Sequence, residues 1–171
     1  MLQLPVPALE DFVRERTAHY DAGFLGRSQL PGQDFVHAHV TLLGPFDALP
    51  DPARVAAALA GLGPARFWLR RVDVFGIGII HAVPEPERQL RRLTGALRRA
   101  FPQVVPYRGE FPVRHHLTLD AVGLGADRDW VAERTSRVLP VLVEAGHVDL
   151  VWYESGSTRL VERFALRAAG A

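Results

Sequence analysis

The sequence predicts an α+β fold in which one set of strands and helices occurs twice. Stretches with helical spacing of apolar residues alternate with short strand-like stretches, and the triplet His-x-Thr followed by Leu occurs at His39–Leu42 and again at His116–Leu119. Each copy precedes a helix that begins at an aspartate. We therefore expect one domain of 171 residues, bilobed and pseudo-two-fold, with repeat halves at roughly 36–83 and 113–168. Two antiparallel sheets should face a central cleft, with the helices outside.

The spacing of matching residues supports the duplication. His39 and His116 are 77 positions apart, and the two helix-opening residues Asp51 and Asp127 are 76 positions apart. A single deleted residue reconciles the two offsets. A repeat of this length is typical of a duplicated supersecondary unit.

In the first part of the chain, apolar periodicity and turn residues set the predicted elements. Leu9, Phe12 and Val13 recur at helical spacing, and Asp51 followed by Pro52 is typical of a helix N-terminus. The predicted elements are a strand at Leu2–Pro7, a helix at Ala8–Tyr20, a loop at Asp21–Asp34, the first triplet strand, a helix from Asp51 to about Gly63, strands at Phe67–Val74 and Ile77–Val83, a helix opened by Pro86 and a loop at Pro102–Pro112.

The same signals predict the second half. After the second triplet strand, Asp127 opens a helix that stops near Pro140. Val141–Glu154 is predicted as extended chain, and Leu160–Leu166 as the final strand. The turn between these two strands is predicted at Ser155–Ser157, because serine and glycine favour turns.

Composition excludes several classes of chemistry. The chain has no cysteine, which excludes disulfides, thiolate nucleophiles and zinc–thiolate sites. All 20 basic residues are arginines, which excludes catalysis through a covalent lysine adduct. A net charge of +1 argues against a broad basic surface for duplex DNA. A small or terminal phosphate is a better match, because the planar arginine side chain suits phosphate.

The sequence also carries expectations about location and assembly. No run of 18 apolar residues is present, so no membrane partner is expected. The N-terminus lacks the basic and apolar regions of a signal peptide, so a cytoplasmic location is expected. We expect a monomer.

The paired triplets indicate acid–base chemistry on a phosphodiester. Residues i and i+2 of a strand share a face and lie about 6.6 Å apart, so each strand presents one imidazole and one hydroxyl together. Near neutral pH one histidine can take a proton from an attacking oxygen while another protonates the leaving oxygen. The hydroxyls of Thr41 and Thr118 can donate hydrogen bonds to the non-bridging oxygens. No metal or other cofactor is required, and either His39 or His116 could be the base.

The stretch His39-Val40-Thr41-Leu42-Leu43-Gly44-Pro45-Phe46 and the later His116-Leu117-Thr118-Leu119 resemble the two motifs of the two-histidine (2H) phosphoesterases. Within that superfamily the chain is similar to the 2′-5′ RNA ligase and cyclic nucleotide phosphodiesterase group. The resemblance implies a bilobed fold and metal-independent cleavage of 2′,3′-cyclic or related phosphodiesters of nucleotides or RNA ends. It also implies reversal toward 2′-5′ joining in some members. His39 and His116 would be catalytic, and Thr41 and Thr118 would contact phosphate.

Four further residues are candidates for substrate binding. His37 lies on the same strand face as His39. Arg114 could bind phosphate, and Phe46 and Tyr153 could stack on a base.

Two other functions are consistent with these residues. A binding module with the same cleft could recognise a phosphate or an RNA end without turnover. A metal hydrolase could use His37, His39 and either His115 or His116, although only Asp120 offers a nearby carboxylate.

Overall fold

A computed structural model of the chain describes residues 1–16, 35–109, 112–123, 125–153 and 158–170. The predicted loop at Asp21–Asp34 and the predicted turn at Ser155–Ser157 lie outside these residues. Within the described ranges, no helix combines the length and the apolar character that a membrane crossing needs.

The described residues form an α+β fold, as predicted. The strands are β1 (Leu2–Pro5), β2 (His39–Leu43), β3 (Ala65–Val74), β4 (Ile79–Glu85), β5 (Leu117–Ala121), β6 (Val141–Ala145), β7 (His147–Trp152) and β8 (Arg159–Ala165). The helices are α1 (10–16), α2 (Pro52–Leu59), α3 (Arg88–Ala100) and α4 (Arg128–Thr135), and short 3-10 turns occupy Pro7–Leu9 and Pro106–Gly109.

Two helix starts predicted from aspartate are confirmed. The Asp51 carboxylate accepts a hydrogen bond from the Ala53 backbone N–H at 2.9 Å, and the Asp127 carboxylate accepts one from the Trp130 N–H at 2.8 Å. These bonds satisfy backbone donors that the first helical turn leaves unpaired. The predicted start of α3 at Pro86 is wrong by two residues: β4 continues to Glu85, and the chain needs Pro86 and the next residue to leave the sheet before the helix begins.

The strands form one antiparallel sheet in the order β6-β3-β4-β5-β2-β1-β7-β8. The two predicted antiparallel sheets are joined into one, because β2 pairs with β5 where Val40 meets Leu117, and this pair connects the two groups of four strands. On the sheet, α3 packs against β2, and α2 packs against α3. The two triplet strands are therefore neighbours at the centre of the sheet.

Two pairings bear on the predicted duplication. Val40 meets Leu117, 77 positions later in the chain, and Phe67 meets Val143, 76 positions later. These separations equal the offsets of the sequence repeat. A two-fold axis between β2 and β5 would place Val40 opposite its counterpart Leu117, as observed. The pair of β3 with β6 lies at one end of the sheet, away from such an axis. The halves at 36–83 and 113–168 remain a prediction.

The predicted extended stretch Val141–Glu154 is two strands in the structure. β6 pairs with β3 at one end of the sheet, whereas β7 pairs with β1 and β8 in the other group of four strands. Gly146 lies between them, and its carbonyl accepts a hydrogen bond from the Leu166 N–H at 2.8 Å. The sequence shows extended character here, but the change of partner depends on distant strands.

Candidate active site

One cavity lies over the central strands β2 and β5. Its volume is about 250 Å³, and both His-x-Thr triplets line it. The two imidazoles, 77 positions apart in the chain, therefore open into the same space. The described residues that line it are Val13, Arg16, His37, His39, Thr41, His116, Thr118, Leu119, Asp120 and Tyr153.

The strand backbone orients both imidazoles in the same way. His39 Nδ1 lies 2.5 Å from the carbonyl oxygen of His37, and His116 Nδ1 lies 2.7 Å from the carbonyl oxygen of Arg114. Because a carbonyl can only accept, Nδ1 carries the proton in each ring. In the neutral form, Nε2 of each ring is then the basic nitrogen.

Burial keeps both imidazoles neutral near neutral pH. Loss of solvent lowers the pKa of His39 to about 4, against the hydrogen bond to His37, and positive charge on His37, His116 and the amino terminus lowers it further. Burial also lowers the pKa of His116, against its hydrogen bond to the Arg114 carbonyl. Each ring can therefore accept a proton in the free protein, and a bound anion would raise both pKa values.

Two further rings surround His116. The Phe75 ring is edge-on to His116 with centroids 4.9 Å apart, and the His81 ring lies 5.6 Å away. Phe75 and His81 stack on each other at 3.8 Å. His81 lies opposite Thr118 in the pairing of β4 with β5. No local sequence signal indicated this contact, which depends on the strand register.

The environment of His39 is different. The Tyr153 ring lies 6.3 Å from it, and the Tyr153 hydroxyl donates to Gln3 Oε1 at 3.0 Å. Burial raises the pKa of Tyr153, so the phenol keeps its proton. His37 stacks on Phe35 at 4.7 Å. Tyr153 and His37, both predicted to bind substrate, thus line the same cavity as His39.

Arg16 and Asp120 also line the cavity, and the sequence analysis did not select them as site residues. Arg16 Nε lies 2.5 Å from Asp120 Oδ2, with side-chain exposures of 9% and 0%. Asp120 follows Thr118 by two positions in the sequence, and this spacing could have indicated that Asp120 lies near the triplet. Arg16 lies at helical spacing from Phe12 and Val13, which placed it on the apolar face of its helix, but its contact with β5 depends on the packing of α1.

The other predicted binding residues lie elsewhere. Phe46 packs edge-on against Phe101 at 5.5 Å and lines a different cavity. The Arg114 residue is exposed and does not line the histidine cavity; its carbonyl oxygen accepts the bond from His116.

Of the histidines considered for a metal site, His37, His39 and His116 line one cavity, whereas His115 lies apart from them. His115 lies within 2.9 Å of the Thr94 hydroxyl and 3.3 Å of a Glu87 carboxylate oxygen, away from the histidine cavity. Across the described parts of the chain, no three or more histidine, aspartate or glutamate side chains are grouped so that they could hold a metal ion.

Comparisons with known proteins agree with the fold and the motifs. Residues 5–157 match the family model of the 2′-5′ RNA ligase superfamily. The crystal structure of TT0787 from Thermus thermophilus is similar, with a TM-score of 0.60, 21% identity and coverage of 98% of this chain and 97% of that one. Escherichia coli LigT complexed with 3′-AMP has a TM-score of 0.52 and 18% identity, over 96% of this chain and 95% of LigT. No curated protein sequence matches the chain.

Proposed function

Because the chain belongs to the 2′-5′ RNA ligase superfamily, we propose that it is a metal-independent phosphodiesterase. Its substrates are 2′,3′-cyclic or related 2′-5′ phosphodiesters of nucleotides or RNA ends. The observation that carries the proposal is the shared cavity, which both His-x-Thr triplets line. Crystal structures of E. coli LigT with 3′-AMP and with NADP+ add support for nucleotides as ligands of this fold.

In the proposed hydrolysis, water attacks the cyclic phosphorus as one imidazole removes its proton. The bond from phosphorus to one ribose oxygen breaks, and the second imidazole protonates that oxygen. His39 is neutral near neutral pH, because burial lowers its pKa to about 4, so it can accept the proton of water, and we assign it the role of base. His116 is then the acid and takes up its proton when the anionic substrate raises its pKa.

The two threonines would stabilise the charge that develops on phosphorus. Their hydroxyls donate hydrogen bonds to the non-bridging oxygens, which gain negative charge in the transition state. His37 and Tyr153 line the same cavity and are proposed to hold the nucleoside part. A phosphate contact from the exposed Arg114 remains a prediction.

The proposal can be tested with 2′,3′-cyclic AMP in the presence of EDTA. We expect His39→Ala and His116→Ala each to lower kcat/KM about 100-fold or more, because each removes one proton-transfer group. The control is His147→Gln, an imidazole on β7 that does not line the cavity, and it should retain activity. The wild-type pH–rate profile should be bell-shaped.

Full activity in both alanine variants would exclude this mechanism. Saturable binding of the cyclic nucleotide without any product would instead indicate a phosphate or RNA-end binding module. Loss of wild-type activity in EDTA, restored by a divalent metal, would exclude the metal-independent reaction.

A further inference from the structure

The cavity must accommodate a negative charge. A phosphodiester carries one negative charge, and both catalytic candidates are neutral imidazoles near neutral pH because burial lowers their pKa values. Among the described residues that line the cavity, Arg16 is the only arginine. An arginine side chain is a planar cation that suits phosphate. Arg16 thus brings a cation to the place where the anion would bind, paired with the Asp120 carboxylate of the same lining.

The guanidinium is held from two sides. Arg16 Nε donates to Asp120 Oδ2 at 2.5 Å, and the guanidinium carbon lies 5.0 Å from the centroid of the Trp130 ring. These contacts fix Arg16 before any ligand arrives, which reduces the entropy lost on binding. A buried ion pair is weak evidence for a purely stabilising role, because apolar residues of similar size are often as stable.

The charge lies on one side of the cavity. His116 immediately precedes β5, and Thr118 and Asp120 both lie on it, so the ion pair with Asp120 holds Arg16 beside the second triplet. At the matching position of β2, Leu43 follows Thr41. Among the described residues that line the cavity, the ion pair of Arg16 with Asp120 lies beside the second triplet, so the two triplets are not equivalent.

We propose that Arg16 binds the non-bridging oxygens of the substrate phosphoryl group and that Asp120 is the positioning residue that holds it there. This inference rests on the proposed function and adds a phosphate-binding cation to it. A guanidinium presents N–H donors in a planar fork that matches two phosphoryl oxygens. The same contact stabilises the charge that builds on those oxygens during the reaction.

The test compares Arg16→Gln with a matched control. We expect Arg16→Gln to lower kcat/KM for 2′,3′-cyclic AMP about 100-fold, the effect of losing one charge-stabilising donor. Arg134→Gln is the control, because Arg134 stacks on the same Trp130 ring at 5.3 Å but pairs with Glu15 at an exposed site outside the cavity. Arg134→Gln should keep kcat/KM within about 2-fold of wild type.

A second variant separates binding from folding. Arg16→Gln with Asp120→Asn removes both charges together and leaves no unpaired buried ion, so the chain should remain folded. It should show the same loss of kcat/KM as Arg16→Gln alone. Asp120→Asn alone should lower kcat/KM, because the guanidinium loses its anchor, whereas inorganic phosphate should still raise the Tm of this variant, because the cation remains.

Phosphate binding provides a readout that does not need turnover. Inorganic phosphate should raise the Tm of the wild type and of Arg134→Gln, and it should not raise the Tm of the double variant. If the wild type turns over but the double variant keeps its activity and its phosphate-dependent Tm shift, the role of Arg16 is excluded. If the wild type binds phosphate through Arg16 without any turnover, the proposed function fails and this inference stands. If phosphate gives the wild type no Tm shift, the inference is overturned.

Discussion

The imidazole of His39 is neutral in the folded protein over an unusually wide pH range. Burial lowers its pKa to about 4, whereas an unfolded histidine has a pKa of about 6.5. Below that value the unfolded chain binds a proton that the folded chain does not yet bind. The free energy of unfolding therefore falls as the pH drops from about 6.5 to about 4, and above 6.5 this residue contributes no pH dependence.

We expect His39→Gln to remove this acid sensitivity. The wild type should lose about 2 kcal/mol of stability from His39 between pH 7.5 and pH 4. This value is smaller than the free energy that corresponds to the whole pKa difference, because the ring is only partly shielded from water. Urea unfolding of both proteins at several pH values would measure the difference, with pH 7.5 as the baseline. A stability difference that is constant over this range would contradict the lowered pKa.

Two elements outside the triplet strands, β4 and α4, place further residues at the candidate site. β4 brings His81 beside His116, and α4 provides Trp130, against which Arg16 packs. The start of α4 depends on the Asp127 carboxylate, which accepts from the Trp130 N–H. The position of this helix thus affects both stability and the placement of Arg16.

We expect Asp127→Ala to lower the free energy of unfolding by about 1 kcal/mol, because the first turn of α4 loses its cap. Asp129→Ala is the matched control: Asp129 is in the same turn, is 80% exposed and pairs only with neighbouring Arg128 among the described contacts, so its loss should cost little. Urea denaturation would compare the two. Equal losses in both variants would show that the cap does not stabilise α4.

Across the whole chain, the joined sheet predicts cooperative unfolding. The Val40–Leu117 pair connects the two groups of strands, and both side chains are fully buried. Neither group can expose this junction without disturbing the other.

We expect a single urea transition. The fluorescence of Trp68 on β3 and that of Trp152 on β7 should change at the same urea concentration, each measured in a variant that keeps only that one of the two tryptophans. Leu117→Ala should lower the urea midpoint seen by each tryptophan by the same amount, which corresponds to a loss of about 3 kcal/mol in the free energy of unfolding. Val113→Ala, at an exposed position, is the control and should change little. Two separate transitions would show that the two groups of strands unfold independently.

Local sequence patterns were sufficient to predict the α+β character, the two triplet strands and the aspartate caps of α2 and α4. The catalytic roles that they suggested stay a prediction. Strand alternation, helix capping and the His-x-Thr spacing each depend on residues only a few positions apart, so they can be recognised without the fold. The resemblance to the superfamily also followed from two short motifs. Local patterns were less accurate at element ends, as the start of α3 shows.

How these parts meet depends on long-range packing, which the sequence patterns did not reveal. The single sheet, the change of partner between β6 and β7 and the contact of His81 with His116 each require pairing between distant strands. The same holds for Phe46, which packs on Phe101 instead of entering the histidine cavity. Arg16 and Asp120 are 104 positions apart, and no local pattern links them. The sequence thus specified which groups could do the chemistry, whereas packing of the whole chain selected those that share one cavity.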